Sequence, residues 1–83
     1  MSIETIDAQL EEIVRECCPD LEPHVPIHVD DNLKDLGLNS VGTIGIVVAV
    51  EQAFSVSLSD EDLSFETFKS IRSLRLTVLK YLP

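Results

Sequence analysis

Eighty-three residues carrying 15 acidic against 6 basic side chains, a net charge of −9, leave room for one modest core and argue against a deep enzyme cleft. The same charge repels nucleic acid and anionic membrane and favours proteins with basic patches as partners, although acid also keeps a small domain dissolved. Apolar residues at 45% and charged residues at 25% are a globular composition, and no run approaches the roughly 18 apolar residues of a membrane span. Met1-Ser2-Ile3-Glu4 lacks the basic start and apolar block of a secretory leader, and the adjacent Cys17 and Cys18 are no disulfide framework. The expectation is one soluble, cytoplasmic, monomeric domain over residues 1–83 that is not an enzyme.

Apolar Ile6, Leu10, Ile13, Val14 and Cys17 recur at helical spacing with Glu4, Asp7, Glu11, Glu12 and Arg15 opposite, which predicts a first helix over about 3–18. Pro19, Pro23 and Pro26 then keep the chain irregular, and a long loop runs to about residue 39. Leu21, Val25, Ile27, Leu33, Leu36 and Leu38 are its expected anchors across a helical core. A second helix is predicted over about 40–54, with Asn39 as its cap and Ile46, Val47, Val50 and Phe54 facing inward. The β-branched run does not make it a strand, because period-two alternation is absent. Ser59 or Asp60 caps a short third helical turn through Leu63, with Asp60, Glu61 and Asp62 as its solvated start. Phe65 and Phe68 are expected to plug the junction before a final helix over about 70–82, capped by Ser70, with Ile71, Leu74, Val78, Tyr81 and Leu82 inward. The fold class is all-α: a small four-helix bundle of three longer helices and one short helix, with the long loop after the first.

The stretch richest in chemical meaning is Asp35-Leu36-Gly37-Leu38-Asn39-Ser40, a turn that delivers a serine hydroxyl to the first turn of a helix. Gly37 is free to take a left-handed conformation, and the helix N-terminus offers unpaired N–H groups to a phosphodiester on that oxygen. This motif, followed by Val-Gly-Thr-Ile-Gly-Ile and Glu51-Gln52-Ala53-Phe54, closely resembles the attachment region of the acyl and peptidyl carrier protein family. The resemblance extends to the first helix, the anchored loop and Leu63-Ser64-Phe65-Glu66-Thr67-Phe68. It implies that Ser40 receives 4′-phosphopantetheine from coenzyme A and that the arm's thiol holds acyl or aminoacyl intermediates as thioesters. A phosphopantetheinyl transferase, a loading ligase and downstream synthase or tailoring enzymes are the implied partners.

Asn39 stands where the family's commonest motif has aspartate, which keeps the capping oxygen and removes a charge. Gly42 and Gly45 stand where fatty-acid carriers tend to place acids, which turns the expectation toward polyketide, nonribosomal peptide or aminoacyl pathways. Val41, Ile44 and Val48 lie almost opposite the core face and read as a partner-docking stripe, the competing reading being that the long loop covers them. Gly42 and Gly45 flank that stripe, and their missing side chains are expected to let a partner's backbone or the cargo approach closely, so that alanine at both would stabilise the helix. The rival from another class is an unmodified helical interaction module.

Other candidates carry less. Leu38-Asn39-Ser40-Val41-Gly42 lacks the leading glycine of a hydrolase elbow. His24 and His28 sit in a proline-broken loop with no ligand set around them, and the acids at 60–62 lack the spacing of a calcium loop. Cys17 and Cys18 are expected to divide between core and rim.

Overall fold

Ser2 starts the first helix in the computed structural model, which describes residues 2–82: its hydroxyl accepts the Thr5 N–H at 3.2 Å, satisfying one of the unpaired donors of a helix start. The helix, α1, runs over Ile3–Cys17 and buries Ile6, Leu10, Ile13 and Val14 along one stripe. Helix α2 spans Ser40–Phe54, the range expected of it, and α3 spans Ile71–Leu79 behind its Ser70 cap. Among the described residues there is no strand, and α1 packs against both other helices. Ile46, Val50 and Phe54 of α2 and Ile71, Leu74 and Val78 of α3 close the core on the α1 stripe. No helix of the described residues is long and apolar enough to cross a membrane.

The 22 residues between α1 and α2 are strapped to this core rather than loose. Ile27 and Leu33 are buried, while Leu21, Val25, Leu36 and Leu38 are half-buried. Backbone hydrogen bonds complete the strap: the Arg72 N–H donates to the Val29 carbonyl and the Leu33 N–H to the Lys69 carbonyl, both at 2.9 Å. The Arg15 guanidinium donates to the Val25 carbonyl at 2.7 Å, tying the strap back to α1. These bonds satisfy backbone groups that would otherwise be costly to cover.

Five expectations change. The short third helix is a single 3₁₀ turn over Asp60–Asp62, and α3 ends at Leu79 instead of about 82, because Lys80 and Tyr81 turn back onto the Thr77 and Val78 carbonyls. Tyr81 therefore stands exposed at 38% instead of facing the core. Phe68 is buried as expected, but Phe65 is 65% exposed and plugs nothing. Val47 is half-buried at the edge of the core rather than within it.

The acidic start of the 3₁₀ turn divides as well: Asp60 and Glu61 are solvated, whereas Asp62 is only 3% exposed. Its carboxylate receives the Ser59 N–H and hydroxyl, the Lys80 ammonium and the Tyr81 hydroxyl. Lys80 and then Tyr81 are the leading reasons its carboxyl is held far below the usual aspartate range. This clip joins the 3₁₀ turn to the end of α3.

A group with a lowered folded-state pKa stabilises above its unfolded value and loses that contribution as pH falls. Asp62→Asn should therefore lower the urea midpoint at pH 7, and the gap to the parent should shrink from about pH 4 downward, where an unfolded aspartate takes up its proton. Urea titrations of both proteins between pH 7 and pH 3 read this directly.

Candidate functional site

The Asp35–Ser40 motif folds as the end of one turn and the start of a helix. The Leu36, Gly37 and Leu38 N–H groups donate to the carbonyls of Leu33, Lys34 and Leu33, each at 3.1 Å. The last two form the paired closure that ends a helical turn on a left-handed residue. Gly37 supplies that residue with φ +101°, a value that side chains disfavour. Buried Leu33 holds the turn to the core.

Asn39 is extended and caps α2: its side-chain oxygen accepts the Gly42 N–H at 2.8 Å, and its carbonyl accepts both the N–H and the hydroxyl of Thr43. Ser40 follows as the first helical residue, exposed to solvent. It opens onto a groove of about 710 Å³ whose apolar walls are Leu38, Ile44, Val47, Leu63, Phe65 and Phe68. A smaller groove of about 310 Å³ lies on the other flank, between Cys17, Val41 and Gly45. An exposed hydroxyl at a helix N-terminus suits a phosphodiester, which needs reach and hydrogen-bond donors.

Val41, Ile44 and Val48 are exposed at 78%, 66% and 49%, so the long loop does not cover them. The glycines differ from the expectation and from each other. Gly42 is buried against the end of α1, where a Cβ would lie 2.5 Å from the Cys17 carbonyl oxygen and 2.9 Å from Leu38 Cδ1. The close approach its hydrogen permits is therefore made by α1 of the same chain, which corrects its assignment to a partner's backbone or to cargo. Gly45 is half-buried, and a Cβ there would meet only Cys17 Sγ, at 3.1 Å.

Cys18 is buried in the core and Cys17 half-buried at the groove rim. Burial first, then the neighbouring Glu16 charge, raises the Cys17 thiol pKa, which makes it a poor nucleophile. His24 and His28 are exposed, His24 resting 3.2 Å from Glu22. Among the described residues no group of three or more His, Cys, Asp or Glu is placed to hold a metal ion.

Sequence reasoning misses the far wall of the larger groove. Leu63 and Phe65 come from a turn-rich segment without periodicity, and only the long-range fold brings them beside Ser40. The one signal they leave is a large aromatic among Ser64, Glu66 and Thr67, in a segment too irregular to need it for a helix face.

The family model described as "Phosphopantetheine attachment site" matches residues 8–76, and the chain belongs to that family. It is 29% identical over 56 residues to aminoacyl carrier protein 2 of Bradyrhizobium diazoefficiens, a match covering 68% of this chain and 63% of that protein. It is 33% identical over 49 residues to an acyl carrier protein of Phytoplasma mali, covering 58% of this chain and 56% of that one. The chain thus aligns with less than two thirds of the length of either relative.

The fold is similar to a chain in the crystal structure of an engineered Bradyrhizobium japonicum glycine:[carrier protein] ligase complexed with a carrier protein from Agrobacterium tumefaciens and AMP. The TM-score is 0.80 at 26% identity, covering 88% of this chain and 97% of that one, whose small size makes it the carrier component. The corresponding ATP complex gives a TM-score of 0.76 at 26% identity, covering 90% and 97%.

Gly42→Ala sets a helix gain of about 1 kcal/mol against an overpacking cost of about 1–3 kcal/mol where a backbone carbonyl blocks the new methyl group. It should destabilise the protein and lower its melting temperature. Gly45→Ala should leave the melting temperature unchanged or raise it, since only the Cys17 side chain must move. Thermal melts of the two single variants separate the roles.

Proposed function

We propose that this chain carries acyl or aminoacyl groups as thioesters on a 4′-phosphopantetheine arm linked to Ser40, and that it performs no catalysis itself. The observation that carries the reading is the exposed Ser40 hydroxyl at the first turn of α2, set there by the positive φ of Gly37 and the Asn39 cap. The arm, when bound, supplies a mobile thiol that holds the cargo. Ser40 would fix its root, the N–H groups of the α2 N-terminus would be available to its phosphate, and α2 would offer a surface to the enzymes that use it.

The aminoacyl branch has the stronger support. One relative is an aminoacyl carrier protein, and the similar solved chain is seen with a glycine ligase. A phosphopantetheinyl transferase, an amino acid or acyl ligase and downstream synthase or tailoring enzymes of a polyketide, nonribosomal peptide or related pathway are the partners this reading requires. Their docking surface is Val41, Ile44 and Val48, with Gly45 beside it. From Leu36 to Val50 the chain bears no charge, so docking there rests on apolar contact, while the net charge of −9 steers basic partners from a distance.

Incubation with coenzyme A and a broad-specificity phosphopantetheinyl transferase should add one phosphopantetheine to the intact mass. Ser40→Ala should abolish the gain without changing the circular dichroism spectrum. No gain under conditions that modify a control carrier leaves the unmodified interaction module as the better account.

Ile44→Glu, at an exposed position, should keep the parent's melting temperature and still slow loading by its ligase about tenfold or more, a loss of about 1.4 kcal/mol in docking. Loading at the parent's rate would remove the stripe from the docking surface.

A further inference from the structure

The chain has six basic side chains, and four are in ion pairs: Arg15 with Glu11, Arg72 with Asp30, Arg75 with Asp7 and Lys80 with Asp62. Among the described residues the other two, Lys34 and Lys69, have no acidic partner, and both line the groove onto which Ser40 opens. No aspartate or glutamate lines it, although the chain has 15 of them. An acidic protein thus lines the groove beside one hydroxyl with two cations and no anion.

The backbone brings the roots of these two side chains close together. The Leu33 N–H bonds to the Lys69 carbonyl at 2.9 Å, so the two lysines spring from adjacent points of the strap and of the segment before α3. The Lys34 N–H is itself fixed by the Asn32 side chain at 3.0 Å. Like charges at close quarters repel, and an anion between them converts the repulsion into two attractions. Asn39 contributes by what it lacks, since an aspartate at that position would offer the lysines a carboxylate beside Ser40.

We propose that Lys34 and Lys69 hold the phosphate of the arm carried on Ser40, and so fix the root of the arm over the groove. Lysine suits this role because its ammonium is a point charge on a flexible four-carbon stem, able to meet a phosphate oxygen without fixed geometry. The inference rests on attachment at Ser40, and the experiment separates the two.

The parent, Lys34→Gln, Lys69→Gln and the double variant are each prepared with and without the arm, with intact mass confirming attachment before thermal melts at low ionic strength. The arm should raise the parent's melting temperature by about 4 °C, against the trend expected when a further negative charge is added to a chain of net −9. Each single variant should show a smaller rise, the double variant none, and 0.5 M salt should erase the parent's rise through screening.

A rise of equal size in the double variant, or no rise in the parent, overturns the proposal while leaving attachment intact. A mass that does not change refutes attachment, and this inference with it. Arms bearing succinyl and butyryl groups settle the source of the anion. A lysine-dependent rise confined to the succinyl form would overturn the phosphate in favour of a cargo carboxylate.

Discussion

The approach of α2 to the end of α1 fixes the position of Ser40. Gly42 lies against the Cys17 carbonyl with no room for a side chain, and its own N–H is held by Asn39. A helix start placed by contact on one side and by its cap on the other has little freedom to rotate. Ser40, two residues before Gly42, inherits that rigidity, while its hydroxyl stays in solvent. The attachment role proposed for Ser40 requires this combination of a fixed base and an open reactive atom.

The strap between α1 and α2 serves the same end from the opposite side. Its bonds to Lys69 and Arg72 bring the segment before α3 close to the Leu33–Leu38 turn, which sets Leu63, Phe65 and Phe68 across the groove from α2. The groove is therefore a product of the long loop and not of helix packing alone. The Asp62 clip holds the 3₁₀ turn to the end of α3 and so steadies the wall that carries Leu63 and Phe65. Core, strap and clip together give the α2 N-terminus its surroundings.

Where the physical signal is local, the sequence is a good guide. The limits of α2 follow from Asn39 and from the apolar spacing of Ile46, Val50 and Phe54, and Gly37 marks the turn before it. Ser40 and the exposed stripe are legible for the same reason. What escapes depends on partners far along the chain. Asp62 reads as solvated because Lys80 and Tyr81 lie 18 and 19 residues away, and Gly42 reads as a surface feature because nothing local announces the Cys17 carbonyl. The end of α3 escapes because its apolar spacing continues into Tyr81 and Leu82 after the hydrogen bonding has tightened.

The absence of charge along α2 also bears on the life of the unfolded chain. From Leu36 to Val50 the chain is rich in β-branched residues and holds no proline or ionised group. Such a segment is suited to strand pairing between chains whenever it is not folded as a helix. Packing on α1 and the strap shields Ile46 and Val50 once the helix has formed, and Gly42 and Gly45 interrupt the run before that. Asp35 and Glu51, the acids that bound this segment, stand where gatekeepers do, and the net charge of −9 adds repulsion between neighbouring chains.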